Sequence, residues 1–232
     1  MLSMKKTSII AVILGLSLVA ILVSGCGSNS ANTNTTPTPS ATPTVSAPSA
    51  APSLGGPDAD QDGLPDTVEK TLGTSALNAD SDGDGQSDKV DKDALFTPNL
   101  IQESSNATAL IKVVDARVED NVNAADHLEI TVTNTGKTEL KDFDVYYTVT
   151  DPVTSVKEGY YLKLVGFNLS TGVTKTLHFD NKKEINHFGG NVNGLYGTSK
   201  NGLDFLVELH SQGFKSVQIP VKKAKGTAEI AD

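Results

Sequence analysis

Carboxylates are concentrated between residues 58 and 93, where eleven acidic side chains face only three lysines. Charges of one sign at this density repel one another unless a cation lies among them. The acids at positions 1, 3, 5, 9 and 12 of a twelve-residue loop are Asp58, Asp60, Asp62, Asp66 and Glu69. Gly63 stands at position 6, where such a loop turns sharply, and the backbone carbonyl of Leu64 at position 7 is a further donor. Oxygen atoms spaced in this way converge on a hard cation, so the pattern predicts a calcium-binding loop.

The same pattern returns 22 residues later. Its acidic positions are Asp80, Asp82, Asp84, Asp88 and Asp91, with Gly85 at position 6 and Gln86 at position 7. A solvated acidic linker is the alternative, but a random acidic run would not keep glycine at the turn position twice. Asp91 is one methylene shorter than the glutamate that usually closes such a loop, so we expect the second loop to bind its ion more weakly. The tandem predicts two Ca²⁺ ions.

This stretch resembles the thrombospondin type 3 repeat in its short bacterial and archaeal form. The resemblance rests on the segments DADQDGLPD, GTSALNAD and DSDGDGQSD and covers about 36 of the 232 residues. It implies loops that wrap calcium ions, little regular structure and a thin apolar core, with the acidic residues named above as ligands. The family often has Asp-Pro after Gly-Thr, where this chain has Ser75-Ala76.

Few apolar side chains accompany the carboxylates. Leu64, Val68 and Leu72 have helix-like spacing before Gly73, which predicts one or two helical turns over residues 65–72. The other side chains expected in a small core are Leu77, Val90, Leu95 and Phe96. A core of that size cannot offset the chain entropy alone, so we expect metal binding to contribute to the folding free energy.

The N-terminus has the features of a secretory signal. Lys5 and Lys6 precede an apolar run that ends at Val23 and is too short for a comfortable transmembrane helix. The following Ser24-Gly25-Cys26 resembles the lipobox of bacterial lipoproteins. That resemblance implies removal of residues 1–25 as a signal peptide and lipid attachment to Cys26, the only cysteine. An uncleaved signal anchor is the alternative; we expect an extracytoplasmic protein held by lipid at a membrane, on the cell surface or the periplasmic face.

Residues 26–57 are rich in Ser, Thr, Ala and Pro, a composition that cannot bury a core and predicts a disordered linker. The whole chain carries a net charge of −9, which argues against nucleic acid as a partner because phosphate binding needs clustered Lys and Arg.

Period-two alternation of apolar residues begins after residue 108. Seven such runs, the first near Leu110 and the last ending at Val221, predict an antiparallel β-sandwich over residues 107–222, followed by a tail over 223–232. The stretch ITVTNTGKTELKDFDVYYTV resembles immunoglobulin-like domains of prokaryotic surfaces. The predicted fold class is therefore mostly β: an immunoglobulin-like sandwich preceded by a calcium-loop module over 58–96, a disordered linker and a signal helix.

Within this domain the sequence offers one candidate binding loop, the glycine-rich stretch 186–202. Its candidate residues are His187, Phe188, Asn191, Asn193 and Tyr196. The alternative is a turn in which Phe188 or Tyr196 fills the core. The histidines are scattered, without His-x-x-x-His spacing, and we expect them at the surface or at strand ends: His127, His178, His187 and His210.

These features together predict a membrane-anchored lipoprotein that binds calcium, with a structural or adhesive role for the sandwich. A surface protein or polysaccharide is the expected class of partner, and catalysis is not expected. The alternative is an extracytoplasmic enzyme or a transport-associated solute-binding lipoprotein, which should have a pocket lined by convergent polar groups.

Overall fold

Eight strands and two short helices form the part of the chain that a computed structural model describes, residues 55–118 and 127–226. The strands are β1 Ile111–Val118, β2 Leu128–Asn134, β3 Phe143–Thr150, β4 Lys157–Lys163, β5 Thr174–Phe179, β6 His187–Phe188, β7 Leu203–Ser211 and β8 Val217–Lys223. The helices are α1 Asp66–Leu72 and α2 Leu195–Thr198. The signal sequence, Cys26, residues 27–54 of the linker and most of the tail lie outside the described residues. No helix in the described ranges is long and apolar enough to cross a membrane.

The strands form two four-stranded sheets, with the orders β1-β2-β5-β6 and β4-β3-β7-β8. All paired strands are antiparallel except β5 and β6, which are parallel. The mostly-β class predicted from the alternation is confirmed, and each of the seven predicted runs has a strand as its counterpart. Strand β6 was missed because two residues are too few to show an alternation.

Both sheets contribute to one hydrophobic core. Ile130 and Leu177 of the first sheet and Val145 and Val207 of the second are fully buried, each with 0% exposure. The alternate residues of β2 point away from this core, as the period-two geometry of a strand requires. The outward face of β2 therefore carries Glu129 and two threonines that pair with threonines of β5.

The acidic segment, residues 58–96, includes helix α1. As predicted, Gly73 ends this helix in the left-handed conformation, with φ of +87°. The predicted apolar core of the segment is wrong for Leu72, Leu77 and Val90, which are 53%, 61% and 65% exposed, whereas Leu64 is buried as predicted. The side chain that α1 buries is instead Glu69, at 0% exposure. Hydrogen bonds to the sheet domain hold the segment in place. Because these bonds involve mainly backbone groups, the side chains of Leu72, Leu77 and Val90 can stay exposed.

The acidic segment lies along strand β4, the edge of the second sheet. The N–H of Tyr161 donates to the carbonyl of Asp82 at 2.8 Å, and Gly159 exchanges two hydrogen bonds of 3.0 Å with Leu95 and Thr97. At Gly83, a Cβ atom would stand 1.9 Å from the Tyr161 carbonyl oxygen, so only glycine permits this approach. The segment therefore covers backbone groups that an edge strand would otherwise expose.

Candidate metal centres

The two acidic loops have the same internal hydrogen bonds. In each loop the carboxylate at position 1 accepts the N–H groups of positions 4 and 6, and the carboxylates at positions 3, 5 and 9 accept those of positions 5, 7 and 2. The donor–acceptor distances run from 2.6 to 3.2 Å. The acceptors are Asp58, Asp60, Asp62 and Asp66 in the first loop and Asp80, Asp82, Asp84 and Asp88 in the second. The sequence repeat is thus a repeat of backbone conformation as well.

These bonds bring carboxylate oxygens together at the first three acidic positions. One oxygen from each of Asp58, Asp60 and Asp62 lies within 4.8 Å of the others, and the same holds for Asp80, Asp82 and Asp84. The glycines at position 6, Gly63 and Gly85, have φ of +94° and +99°, the turn for which the sequence required glycine. At position 7, the N–H groups of Leu64 and Gln86 donate to the aspartates at position 5.

Glu69 completes the first loop from helix α1. Its side chain has 0% exposure, and neither carboxylate oxygen has a hydrogen-bond partner among the described residues. Burial, together with the charges of Asp60 and Asp62, raises the pKa of Glu69 to about 7. A buried carboxylate without a partner costs about 1–3 kcal/mol or more. The all-oxygen set and the orphaned carboxylate fit Ca²⁺, which binds six to eight oxygens.

The second loop has a similar buried carboxylate at position 3. Asp82 is 1% exposed, and its Oδ2 has no hydrogen-bond partner among the described residues. Burial raises the pKa of Asp82 to about 7, with contributions from the charges of Asp84 and Asp91. At position 12, Asp91 already accepts the N–H of Asp93 at 2.9 Å. The two loops therefore differ at their closing residue, as their sequences suggested.

The loops are joined to each other. The N–H of Lys89, which follows the second loop's Asp88, donates to Oδ2 of Asp62 in the first loop at 3.0 Å. Burial raises the pKa of Asp88, and the charges of Asp62 and Asp60 act in the same direction. Asp88 itself accepts the N–H and the hydroxyl of Ser81 at 2.8 and 2.7 Å. A change of charge in either loop therefore changes the electrostatic environment of the carboxylates in the other.

The stretch 186–202 contacts the core and the acidic segment. Phe188 lies 6.5 Å from Phe179 between ring centroids, and Tyr196 lies 6.4 Å from Phe205, so both side chains pack on the core. This is the alternative arrangement that the sequence left open. The remaining residues named for this loop are Asn191, Asn193 and His187.

Two of those residues hold the acidic segment. The side-chain amides of Asn191 and Asn193 donate to the carbonyls of Gly73 and Thr74, each at 2.7 Å. These carbonyls follow helix α1, whose last turn leaves carbonyl groups without partners inside the helix. The loop thus contacts the segment immediately after the helix that carries Glu69.

Three of the four histidines lie together, which sequence reasoning missed. Strand register places Glu129 beside His178 and His178 beside His187, and His127, the residue before β2, has its Nε2 3.3 Å from Oε1 of Glu129. The histidines were expected at the surface or at strand ends; His127 is only 6% exposed, but it lies at a strand end, immediately before β2. The parity of β2 predicts that His127 and Glu129 share a face, but the approach of β5 and β6 follows from strand order, which no local pattern reveals.

The fourth histidine lines an open groove of about 810 Å³ beside β3 and β4. His210 Nδ1 lies 2.6 Å from a carboxylate oxygen of Asp144, and its Nε2 lies 3.0 Å from the carbonyl of Phe214. The Tyr161 hydroxyl donates to the other oxygen of Asp144, and burial raises the pKa of Tyr161 to about 12. Each of these polar groups is thus hydrogen-bonded to another group of the protein. The enzyme or solute-binding alternative stays a prediction.

Comparison with known proteins gives no family. No protein-family model matches this chain, and no curated protein matches it. An alkylpurine DNA glycosylase from Pseudomonas fluorescens is 15% identical, with 50% of this chain and 31% of the glycosylase covered and a TM-score of 0.28. A protein described as ApaA from Bordetella pertussis is 11% identical, with 51% of this chain and 96% of that protein covered and a TM-score of 0.32. With TM-scores this low, neither likeness carries an argument about fold or function.

Proposed function

We propose that this protein is a lipid-anchored extracytoplasmic lipoprotein whose tandem acidic loops bind two Ca²⁺ ions. The ligands are the acidic residues at positions 1, 3, 5, 9 and 12 of each loop together with the position 7 carbonyls of Leu64 and Gln86. Calcium has a structural role here: it fixes the acidic segment against the sheet domain, which then serves in adhesion to a surface protein or polysaccharide.

The observation that carries the proposal is the buried carboxylate of Glu69. It has 0% exposure and no hydrogen-bond partner among the described residues, yet it lies near enough to Asp60 and Asp62 for their charges to raise its pKa. Burying an ionised group is unfavourable unless it is paired or coordinates a metal. The same reasoning applies to Asp82 in the second loop. A divalent cation at each loop would compensate both.

The contacts of the acidic segment support a structural role for the ion. Asp82, one of the proposed ligands, accepts a hydrogen bond from Tyr161 of β4 through its own carbonyl. Glu69 lies in the helix after which Asn191 and Asn193 bind the chain. An ion that orders the loops would therefore also order the contacts of the segment with the edge of the sheet. The linker that leads to Cys26 would stay flexible.

Strand order supports an immunoglobulin-like classification of the sheet domain. Sheets ordered β1-β2-β5 and β4-β3-β7-β8 correspond to strands A-B-E and C′-C-F-G of immunoglobulin domains. Strand β6 occupies the edge position of strand D, but it follows β5 in the chain and runs parallel to it. The domain would thus be a variant of that fold.

Calorimetric titration of two single variants tests the ion sites. We expect the unmodified protein to bind two Ca²⁺ ions, and Asp62→Ala and Asp84→Ala each to remove one. Asp204→Ala is the matched control, since it removes an equal charge from a half-exposed residue of β7 that pairs with Lys222. Two ions bound by all four proteins, or none by the unmodified protein, would overturn the proposal.

A further inference from the structure

A row of polar residues crosses all four strands of the first sheet. Arg117 of β1 stands opposite Glu129 of β2, Glu129 opposite His178 of β5, and His178 opposite His187 of β6. His127 lies two residues before Glu129, so the two project from the same face. Glu129 and His127 are 8% and 6% exposed, which is unusual for polar groups on the face directed away from the core.

Three ligand-type atoms in this row meet at one point. His127 Nε2 lies 3.0 Å from His178 Nδ1 and 3.3 Å from Glu129 Oε1, and His178 Nδ1 lies 2.9 Å from the same oxygen. Around a metal ion with bonds near 2.1 Å, adjacent ligand atoms stand about 3.0 Å apart in six-coordination and about 3.4 Å apart in four-coordination. The triangle therefore has the dimensions of one face of a metal coordination shell.

Hydrogen atoms alone leave a conflict in this triangle when Glu129 is a carboxylate, the form that the 2.7 Å ion pair with Arg117 favours. If both ring nitrogens carry hydrogen, the short contact between His127 and His178 joins two donors. If only one carries hydrogen, the other nitrogen faces the carboxylate oxygen with lone pair against lone pair. A cation among the three atoms removes this conflict, because each atom then directs a lone pair at it.

Neighbouring groups orient the triangle as the surroundings of a metal site do. Arg117 Nη2 binds the other oxygen of Glu129 at 2.7 Å, which directs Oε1 toward the histidines. The His187 ring stacks on His178 with centroids 4.4 Å apart and 7° between the planes. His187 is held in turn by Asp180, with 2.8 Å between Nδ1 and the carboxylate.

We propose that His127, Glu129 and His178 bind one divalent first-row transition metal ion, with Zn²⁺ as the reference ion. Two imidazoles and one carboxylate suit zinc and its neighbours, whereas calcium prefers a shell of oxygens alone. The site is thus chemically distinct from the acidic loops and does not depend on them. Three protein ligands leave at least one coordination position for water or another ligand.

Zinc and cobalt titrations of the full-length chain in detergent test the proposal. All proteins carry Cys26→Ser, which removes the lone thiol, and excess calcium occupies the carboxylate loops. We expect one tight Zn²⁺ in the unmodified background, a visible d–d spectrum with Co²⁺, and affinity about 100-fold or more lower in His178→Gln. His187→Phe keeps an aromatic ring but loses the bond to Asp180, so we expect a smaller loss of about 10-fold.

The matched control is His210→Gln, which removes one histidine from the other sheet and should leave zinc affinity unchanged. Far-ultraviolet circular dichroism in chelator checks that each variant keeps its sheets. If His178→Gln does not fold, His127→Asn takes its place, with the same loss expected. Absence of saturable zinc binding to the unmodified background, or equal affinity in the ligand variants and His210→Gln, would overturn the proposal.

Discussion

At the scale of single residues, the protein places ionisable side chains where water cannot solvate them. Glu69 in the first loop and Asp82 in the second both have a pKa raised to about 7, with burial as the largest cause. Without a cation, each group is more easily accommodated when protonated. With a cation, the ionised form is the one that binds. Proton and metal therefore compete for the same carboxylates.

This competition predicts that the melting temperature depends on pH without metal and depends on it much less with calcium bound. In chelator, the folded state binds the Glu69 proton more tightly than the unfolded chain, whose pKa is near the usual 4.5. The resulting stability is fully present below that value and is lost as pH rises through about 7. We expect the melting temperature in chelator to fall between about pH 5 and about pH 8. Added calcium should restore it at the higher pH and have little effect at the lower one.

Glu69→Gln isolates this effect from the other titrating groups. The variant cannot ionise, so its melting temperature in chelator should change less between the two pH values than that of the unmodified protein. Its calcium affinity at the first loop should fall by about 10-fold or more, since a charged ligand is lost. A pH dependence in chelator identical to that of the unmodified protein would show that Glu69 is not the responsible group.

At the scale of elements, the main structural feature is the contact between the acidic segment and strand β4. It consists mostly of backbone hydrogen bonds, with Asn191 and Asn193 as side-chain donors at the other end. Such a contact depends on the close approach of two main chains. Gly83 permits that approach at its tightest point.

Two glycines of one loop offer a controlled test of this contact. Gly83 and Gly85 both have positive φ, +82° and +99°, so alanine strains the backbone at either position. Only at Gly83 would the new Cβ meet another element, at 1.9 Å from the Tyr161 carbonyl oxygen, while nothing lies within 4 Å at Gly85. We expect Gly85→Ala to cost about 1–2 kcal/mol of unfolding free energy. Gly83→Ala should cost about 2 kcal/mol more.

Urea unfolding in excess calcium measures both variants, and limited proteolysis near residue 97 reports whether the segment has left the sheet. Gly83→Ala should be cut faster than Gly85→Ala. Equal stability and equal cleavage would mean that contact with β4 does not hold the segment in place.

The sequence predicts features that depend on neighbouring residues, but it does not predict contacts between distant ones. Alternation predicted seven strands, and Gly73 marked the end of α1, because each signal lies within a few neighbouring residues. The contact between the acidic segment and β4 was not predicted, because backbone hydrogen bonds can form with almost any type of residue. Likewise, His127 and His178 are 51 positions apart and meet only through the β2–β5 pairing. The apolar side of α1 was predicted from the spacing of Leu64, Val68 and Leu72, whereas the structure exposes Leu72 and buries Glu69.

At the scale of the whole molecule, the proposed order along the chain is a lipid anchor, a linker, calcium loops and a sheet domain. Among the described residues, the acidic segment and both sheets belong to one compact unit. The division into a module over 58–96 and a domain over 107–222 stays a prediction. A calcium-fixed segment at the start of the unit would give the linker a firm point of attachment.

The anchor is tested at Cys26. We expect Cys26→Ala to accumulate as an uncleaved precursor without lipid, because the proposed lipid attachment is to the Cys26 sulfur. Ser28→Ala is the control, being two residues further on and outside the lipobox-like sequence. Incorporation of radiolabelled lipid into Cys26→Ala at the level of Ser28→Ala would contradict the assignment of Cys26.

The central claim, that the acidic segment holds two calcium ions, is tested most directly by counting ions on the folded protein. Native mass spectrometry of the unmodified chain in detergent, with calcium and with magnesium in parallel, gives that count. We predict a mass increase of two Ca²⁺ ions, reversed by chelator, and weaker retention of Mg²⁺, which demands octahedral geometry and keeps its waters. A folded protein that retains no calcium at millimolar concentrations, the range of weak extracellular sites, would contradict the account.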